Sequence, residues 1–242
     1  MPKGIPDWGQ YAPTEIVAGM ADLGELAARL GGVGLYDRRG NVIWWDDCEL
    51  GLGKWVTYNT GLGSDVTWDN STARMGRYSI KLTAGTQVNG AARIWRDVAF
   101  ATTSRVGFEF AFQTVSTARY VTIVMRLYGT GGLLQADVRL DLIAHKIQVW
   151  TPAMSWQDAG DIPSGVGLAN SFNVVKVVLD FTEQRYARGI FNNLEVPLDF
   201  DIPLTAPLID IVNIRAGVQI DGTGVSNEAI YADDFIITIN EP

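Results

Sequence analysis

The chain has 242 residues and a formal net charge of −8, from 27 acidic against 19 basic side chains. An acidic chain repels nucleic-acid phosphates and anionic membranes, so neither is an expected partner. Apolar residues make up 47 % and charged ones only 19 %, with 26 Gly, 8 Trp, 8 Tyr and 9 Phe, which suits short strands and tight turns in one β-sandwich and excludes a helical bundle.

In chain order, the first segment carries Pro2, Pro6 and Pro13 and reads as an extended arm. Residues 15–30 carry the one strong helical pattern, with Thr14 to cap it and Gly31-Gly32 to stop it. Its apolar positions, Ile16, Met20, Leu23, Ala27 and Leu30, step by 4, 3, 4 and 3, the seam of a helix that packs on another helix. Gly19 and Gly24 weaken it by ~1 kcal/mol each relative to Ala. So short a helix is marginal alone and needs a partner surface. Either it packs on its own sandwich or, the favoured expectation, it joins copies into a homo-oligomer, with a trimer preferred. The chain thus divides into an arm and assembly helix over 1–34 and a sandwich over 35–242, led in by a hairpin at 35–44 whose turn holds Asp37-Arg38-Arg39-Gly40-Asn41.

From Trp44 onward the pattern alternates with period two. Tyr78, Ile80 and Leu82 alternate with Ser79 and Lys81, and Val106, Phe108, Phe110 and Phe112 with Arg105, Glu109 and Gln113. Similar runs cover 122–128, 137–142, 175–181, 212–220 and 231–239, with Gly129–Gly132 and Phe191–Leu194 as turns. Alternation predicts strands with one buried and one wet face, hence an all-β, two-sheet antiparallel sandwich behind a short N-terminal α-helix.

Few residues carry chemistry. Cys48 and His145 are each the only one of their kind, so no intrachain disulfide and no cysteine-built zinc site is expected. No apolar run reaches the ~18 residues of a membrane span, and Met1–Gln10 shows no secretory leader. Asp137 with Asp141, and Asp199 with Asp201, share strand faces as a carboxylate pair for glycoside hydrolysis would, but Arg139 between the first two would keep both ionised, and the chain is expected not to be an enzyme. Tyr128, Trp150 and Trp156 fall out of phase with the core, with 150–156 loop-like; they are candidates to stack on sugar rings, against the plainer reading of aromatics that plug one end of the sandwich or make a subunit contact.

Three stretches carry a resemblance. Trp45-Asp46-Asp47-Cys48-Glu49 with Gly51 and Trp55 resembles the acidic opening strand of concanavalin-like and carbohydrate-binding-module jelly rolls, with Cys48 where Phe is usual. Residues 73–82 and Ile230-Tyr231-Ala232-Asp233-Asp234-Phe235 are similar to later strands of the same fold. The resemblance implies a structural Ca²⁺ where the first and last strands meet, with Asp47, Glu49, Asp233 and Asp234 as ligands; solvated acidic strand ends are the alternative. Residues 22–30 and 36–44 resemble leaders of structural proteins from tailed bacteriophages. That implies a virion protein, a head decoration or fibre component made in the host cytoplasm, with other virion proteins as partners and surface glycans as a further partner class. The alternative is a secreted carbohydrate-binding module of a polysaccharide-degrading system, located outside the cell.

Overall fold

The computed structural model describes residues 37, 39–99, 105–115, 118–129, 132–167, 169–192, 194–205, 213–225 and 228–242. The arm, the helix at 15–30 and its seam of Ile16, Met20, Leu23, Ala27 and Leu30 lie outside the described residues. Among the described ones the helical structure is a single 3-10 turn, Leu52–Lys54.

The rest is strand: β1 Asn41–Asp46, β2 Val56–Thr60, β3 Ser64–Asp69, β4 Ser79–Gly85, β5 Val88–Ala99 and β6 Arg105–Thr114. Then come β7 Tyr120–Gly129, β8 Gly132–Asp141, β9 Lys146–Trp150, β10 Trp156–Asp161 and β11 Asn173–Asp180. The last are β12 Arg185–Phe191, β13 Leu194–Asp201, β14 Leu204–Thr205, β15 Asn213–Thr223 and β16 Glu228–Ile239. They form two antiparallel sheets. The first runs β13-β12-β11-β6-β16-β4-β3 with β1 also on β16; the second runs β10-β9-β8-β7-β15-β5-β2 with β14 on β8. This is the expected jelly-roll sandwich.

The inward residues read from alternation fill the space between the sheets. Phe108, Phe110 and Phe112 of β6 stack with each other and with Phe235 of β16, while Val121, Ile123 and Met125 face them from β7. Trp44 and Trp45 divide as adjacent strand residues must: Trp44 packs edge-on to Trp55 at 5.0 Å, and Trp45 is 37 % exposed.

Asn41 and Val42 pair with the chain's last strand, Asn41 opposite Ile239, while Leu35 and Tyr36 of the expected 35–44 hairpin lie outside the described residues. One expectation needs correcting. The outer face of the first sheet, read as wet, is covered over its centre. Every residue of β11 is buried, Lys176 included at 1 % exposure. Its ammonium is satisfied by Glu241 at 2.7 Å, Asp37 at 3.0 Å and the Arg39 carbonyl at 3.2 Å, so the charge is paired where it is buried. Glu241 also takes Arg188 at 2.7 Å and the Thr238 hydroxyl at 2.5 Å. Gly107 makes this possible, because a Cβ there would lie 2.8 Å from Lys176 Cε and 2.9 Å from Glu241 Oε1.

Candidate functional site

The outer face of the second sheet collects Arg93, Arg126, Arg139 and Arg215 together with several aromatic rings. Register fixes which side chains share it. Across β9, β8, β7, β15, β5 and β2, one row holds Gln148, Arg139, Thr122, Gln219, Arg93 and Tyr58. The next holds Asp137, Val124, Gly217, Trp95 and Val56, and a third holds Gln135, Arg126, Arg215 and Asp97. All are the out-of-phase residues of strands whose other phase is core, so the sequence that builds the sandwich also builds this face.

Its cations are held in a lattice of rings and amides. Arg139 lies 4.2 Å from the Trp156 ring and 4.4 Å from that of Tyr120, and donates twice to Gln148 Oε1, at 2.9 and 2.6 Å. Arg215 lies between Trp95 at 4.8 Å and Tyr128 at 5.1 Å and forks onto Asp97 at 2.8 and 3.0 Å. Arg93 donates through Nε to Gln219, whose amide in turn donates to Asp221; Asp221 accepts the Thr122 hydroxyl at 2.9 Å. The glutamines therefore act as spacers between guanidinium and carboxylate. Burial, then the neighbouring Arg126, lowers the Arg93 pKa from its ordinary value. Gly217 sits at the centre because β5 closes on it: an added Cβ would lie 2.7 Å from Trp95 Cβ.

Asp137 departs from expectation. Arg139 does not pair with it, being committed to Gln148, and Asp141 pairs with Arg119 instead, at 3.1 Å. Asp137 is buried, accepts one hydrogen bond from Gln135 at 2.8 Å and has Arg126 at 3.8 Å. Burial outweighs Arg126 and pushes its pKa up. Asp141 goes the other way: burial raises it, but Arg119 and the Ala144 and Ile143 N–H groups win. Asp199 and Asp201 are exposed on β13, beside Arg185 at 2.9 and 3.5 Å. The four carboxylates thus divide between the two sheets, and no cleft brings the pairs together.

The sugar-stacking candidates do share this face, though not as a loop. Trp150 ends β9 and Trp156 opens β10; they are cross-strand partners with rings edge-on at 5.3 Å. Tyr128 stands three strands in, against Arg215. All three are half-buried, and Arg139 already lies over Trp156. Tyr58, at the far edge on β2, is the open ring of the face at 50 % exposure. Sequence reasoning missed Arg93, Trp95, Arg126, Arg139 and Arg215; their signal was the polar phase of strands read only for their apolar phase.

Of the four acids named for calcium, Asp233 and Asp234 sit at a bulge of β16, the strand that β1 pairs with, and both are buried. Several of their oxygens are engaged. Asp233 accepts the Arg74 and Asp234 N–H groups at 2.9 and 2.8 Å, Asp234 pairs with the Arg74 guanidinium at 2.6 Å, and Glu49 accepts the Arg77 and Tyr78 N–H groups at 2.7 and 2.9 Å. Asp47 caps its own turn through the Glu49 N–H at 3.3 Å. Among the described residues no three His, Cys, Asp or Glu side chains converge on a metal position. Asp233, Asp234 and Glu49 anchor residues 74–78 to the sandwich. Cys48, in the Phe position, packs in the core, where burial raises its thiol pKa.

No family model matches the chain, and no curated protein does. Among solved structures, the chain is similar to a cellulose-induced protein, Cip1, at 18 % identity and a TM-score of 0.56, over 81 % of this chain and 96 % of that one. An endo-β-1,4-glucuronan lyase from the fungus Trichoderma reesei matches at 10 % identity and a TM-score of 0.58, over 83 % and 96 %. A Bacillus subtilis protein of unknown function with a galectin-like fold matches at 10 % and 0.53, over 83 % and 97 %. These likenesses establish the fold. They assign no activity.

Proposed function

We propose that the chain binds glycans on the outer face of its second sheet, without turning them over. The observation that carries this is the face itself: aromatic rings at both edges, Trp150 and Trp156 at one and Tyr58 at the other, with a continuous field of arginine, glutamine and aspartate between them. Seven strands at ~4.8 Å spacing give the face a width of roughly 30 Å, enough for several sugar rings laid across the strands. Rings pack on sugar C–H surfaces while amides and guanidiniums take hydroxyls, the mixture that ligand sites use for orientation. The fold it shares with a cellulose-induced protein and a glucuronan lyase agrees with this reading.

The finer reading is that this domain belongs to a virion, with residues 1–34 attaching or oligomerising it. It rests on the likeness of residues 22–44 to phage leaders. A secreted binding module is the alternative, and the coding neighbourhood, capsid genes or hydrolase genes, separates the two.

Binding is tested by retention on a panel of soluble and insoluble polysaccharides. Tyr58→Ala and Trp156→Ala should each weaken retention about tenfold, near 1.4 kcal/mol, without lowering the melting temperature much. Retention on no polysaccharide, or retention indifferent to both changes, overturns the reading. Release of new reducing ends from any retained polysaccharide overturns its non-catalytic half.

A further inference from the structure

One part of the face is electrically incomplete. Arg215 is matched by Asp97, and Arg119 by Asp141, while Arg139 is held by Gln148 and two rings. Arg93 and Arg126 have no such direct complement: Asp221 reaches Arg93 only through Gln219, and Asp137 stands 3.8 Å from Arg126. They stand in the rows on either side of Val124 and Gly217, the two short residues at the middle, and close enough for each cation to feel the other. Arg93 spends its Nε on a neutral amide, and Arg126 reaches one carboxylate oxygen, that of Asp137, at 3.8 Å. Asp137 gives Arg126 no close ion pair, and burial pushes its pKa up from the ordinary value.

Polar atoms left without partners cluster here. Arg126 Nε and Trp95 Nε1 are buried donors with no acceptor, and Asp137 Oδ1 is a buried acceptor with no donor. The three belong to β7, β5 and β8, in the phase of those strands that faces outward. Buried donors and acceptors are ordinarily satisfied, so a cluster of orphans around two guanidiniums marks a place for an outside group rather than an accident of packing.

Resting on the glycan-binding reading, we infer that Arg93 and Arg126 form a subsite for the carboxylate of a uronic-acid residue in the bound glycan. A planar guanidinium forks onto a carboxylate, and the Trp95 indole N–H adds a neutral donor at the wall. A neutral sugar fills the same space but leaves both cations uncompensated, and this gives the site its preference.

The test uses the full chain and matched pairs of ligands. A β-1,4-linked glucuronate oligosaccharide and the cello-oligosaccharide of the same length differ only at C6; polygalacturonate and its methyl ester differ only in charge. Titration calorimetry should find the charged member of at least one pair bound tenfold or more tightly at low salt, with the gap narrowing as salt is added. Arg93→Gln and Arg126→Gln should each collapse the gap, and Asp137→Asn should keep it. Arg93 lies toward the open edge of the face, so Arg93→Gln remains informative if Arg126→Gln fails to fold. Equal affinity within every pair overturns the acidic subsite and leaves glycan binding standing. A gap unchanged in the Arg93 variant overturns it too, as does tight binding of sulfated glycans with no preference for uronates. Binding to no glycan at all removes the underlying reading as well.

Discussion

At the scale of single residues, buried carboxyls with raised pKa set how the fold responds to pH; Asp137 is one, and two more lie in the first sheet. Glu109 lies in the covered outer face of the first sheet, where burial pushes its pKa up to about 8 despite Lys176 at 3.9 Å. Asp233, in the β16 bulge, is raised to about 7 by burial and then by the adjacent Asp234. Both stand above their ordinary values of 4.5 and 3.8, so the folded state holds these protons more tightly than the unfolded chain does. The stability they contribute is complete below about pH 4 and is lost as pH rises through 7 to 8. Asp37, Asp141 and Asp180 are shifted downward, so what they contribute is lost only as pH falls below about 4. The melting temperature should therefore climb as pH is lowered from 8.5 to about 5 and fall again under stronger acid. Glu109→Gln should flatten the upper limb. A melting curve that rises steadily from pH 5 to 8.5 would show both carboxyls ionised in the fold.

At the scale of elements, the outer edge of β8 shows how the sheets are tied together. β9 pairs with Val138–Asp141 and then departs, while β14 and the Pro203 carbonyl take Leu133–Gln135 at the other end. Between them the Asp137 backbone is left open, and Tyr186 of the opposite sheet fills the gap. Its hydroxyl accepts the Asp137 N–H at 3.1 Å and donates to the Trp150 carbonyl at 2.8 Å. Tyr186→Phe removes both partners inside the core and should cost about 1–3 kcal/mol by chemical denaturation. Because Asp137 and Trp150 border the binding face, it should also loosen that face. Gly217→Ala should cost at least as much by forcing β5 away from β15. A loss below about 0.5 kcal/mol in both would mean that neither contact holds its element. Alternation made the inward set legible, because Ile123, Val138 and Val218 are buried wherever their strands pair. It also made Arg126, Arg139 and Arg215 legible as outward. That they share a sheet was not legible, since β15 enters between β7 and β5 from far along the chain, and local pattern says nothing of strand order. Lys176 escaped for the same reason: its partners Asp37 and Glu241 come from opposite ends of the described chain. The 150–156 segment misled because a tight turn and two strand-end tryptophans look like a loop when read singly.

At the scale of the whole molecule, the question is what residues 1–34 add. A helix over 15–30, as the sequence predicts, would set Ile16, Met20, Leu23, Ala27 and Leu30 in one apolar stripe, and each large side chain buried there would contribute ~1.5–3 kcal/mol. The full chain is therefore expected to be a homo-oligomer, and a chain lacking 1–34 a folded monomer. The cut must fall before Asp37. That residue and the Arg39 carbonyl close on Lys176, at 3.0 and 3.2 Å, while Arg39 reaches Glu195 at 2.7 Å. Removing 1–34 spares all of these. Removing 1–40 strips two partners from a buried ammonium, so that variant should melt well below the 1–34 deletion even though it loses only six more residues. Light scattering at micromolar concentration reads the assembly, and a thermal scan reads the clamp. Monomers from both the full and the 1–34-trimmed chain would leave the seam as a surface for a different protein or for this sandwich itself. An oligomer that survives the 1–34 deletion would place the contact on the sandwich. Equal melting temperatures for the two deletions would mean that Lys176 is satisfied without its N-terminal partners, by Glu241 at 2.7 Å and Glu109 at 3.9 Å alone.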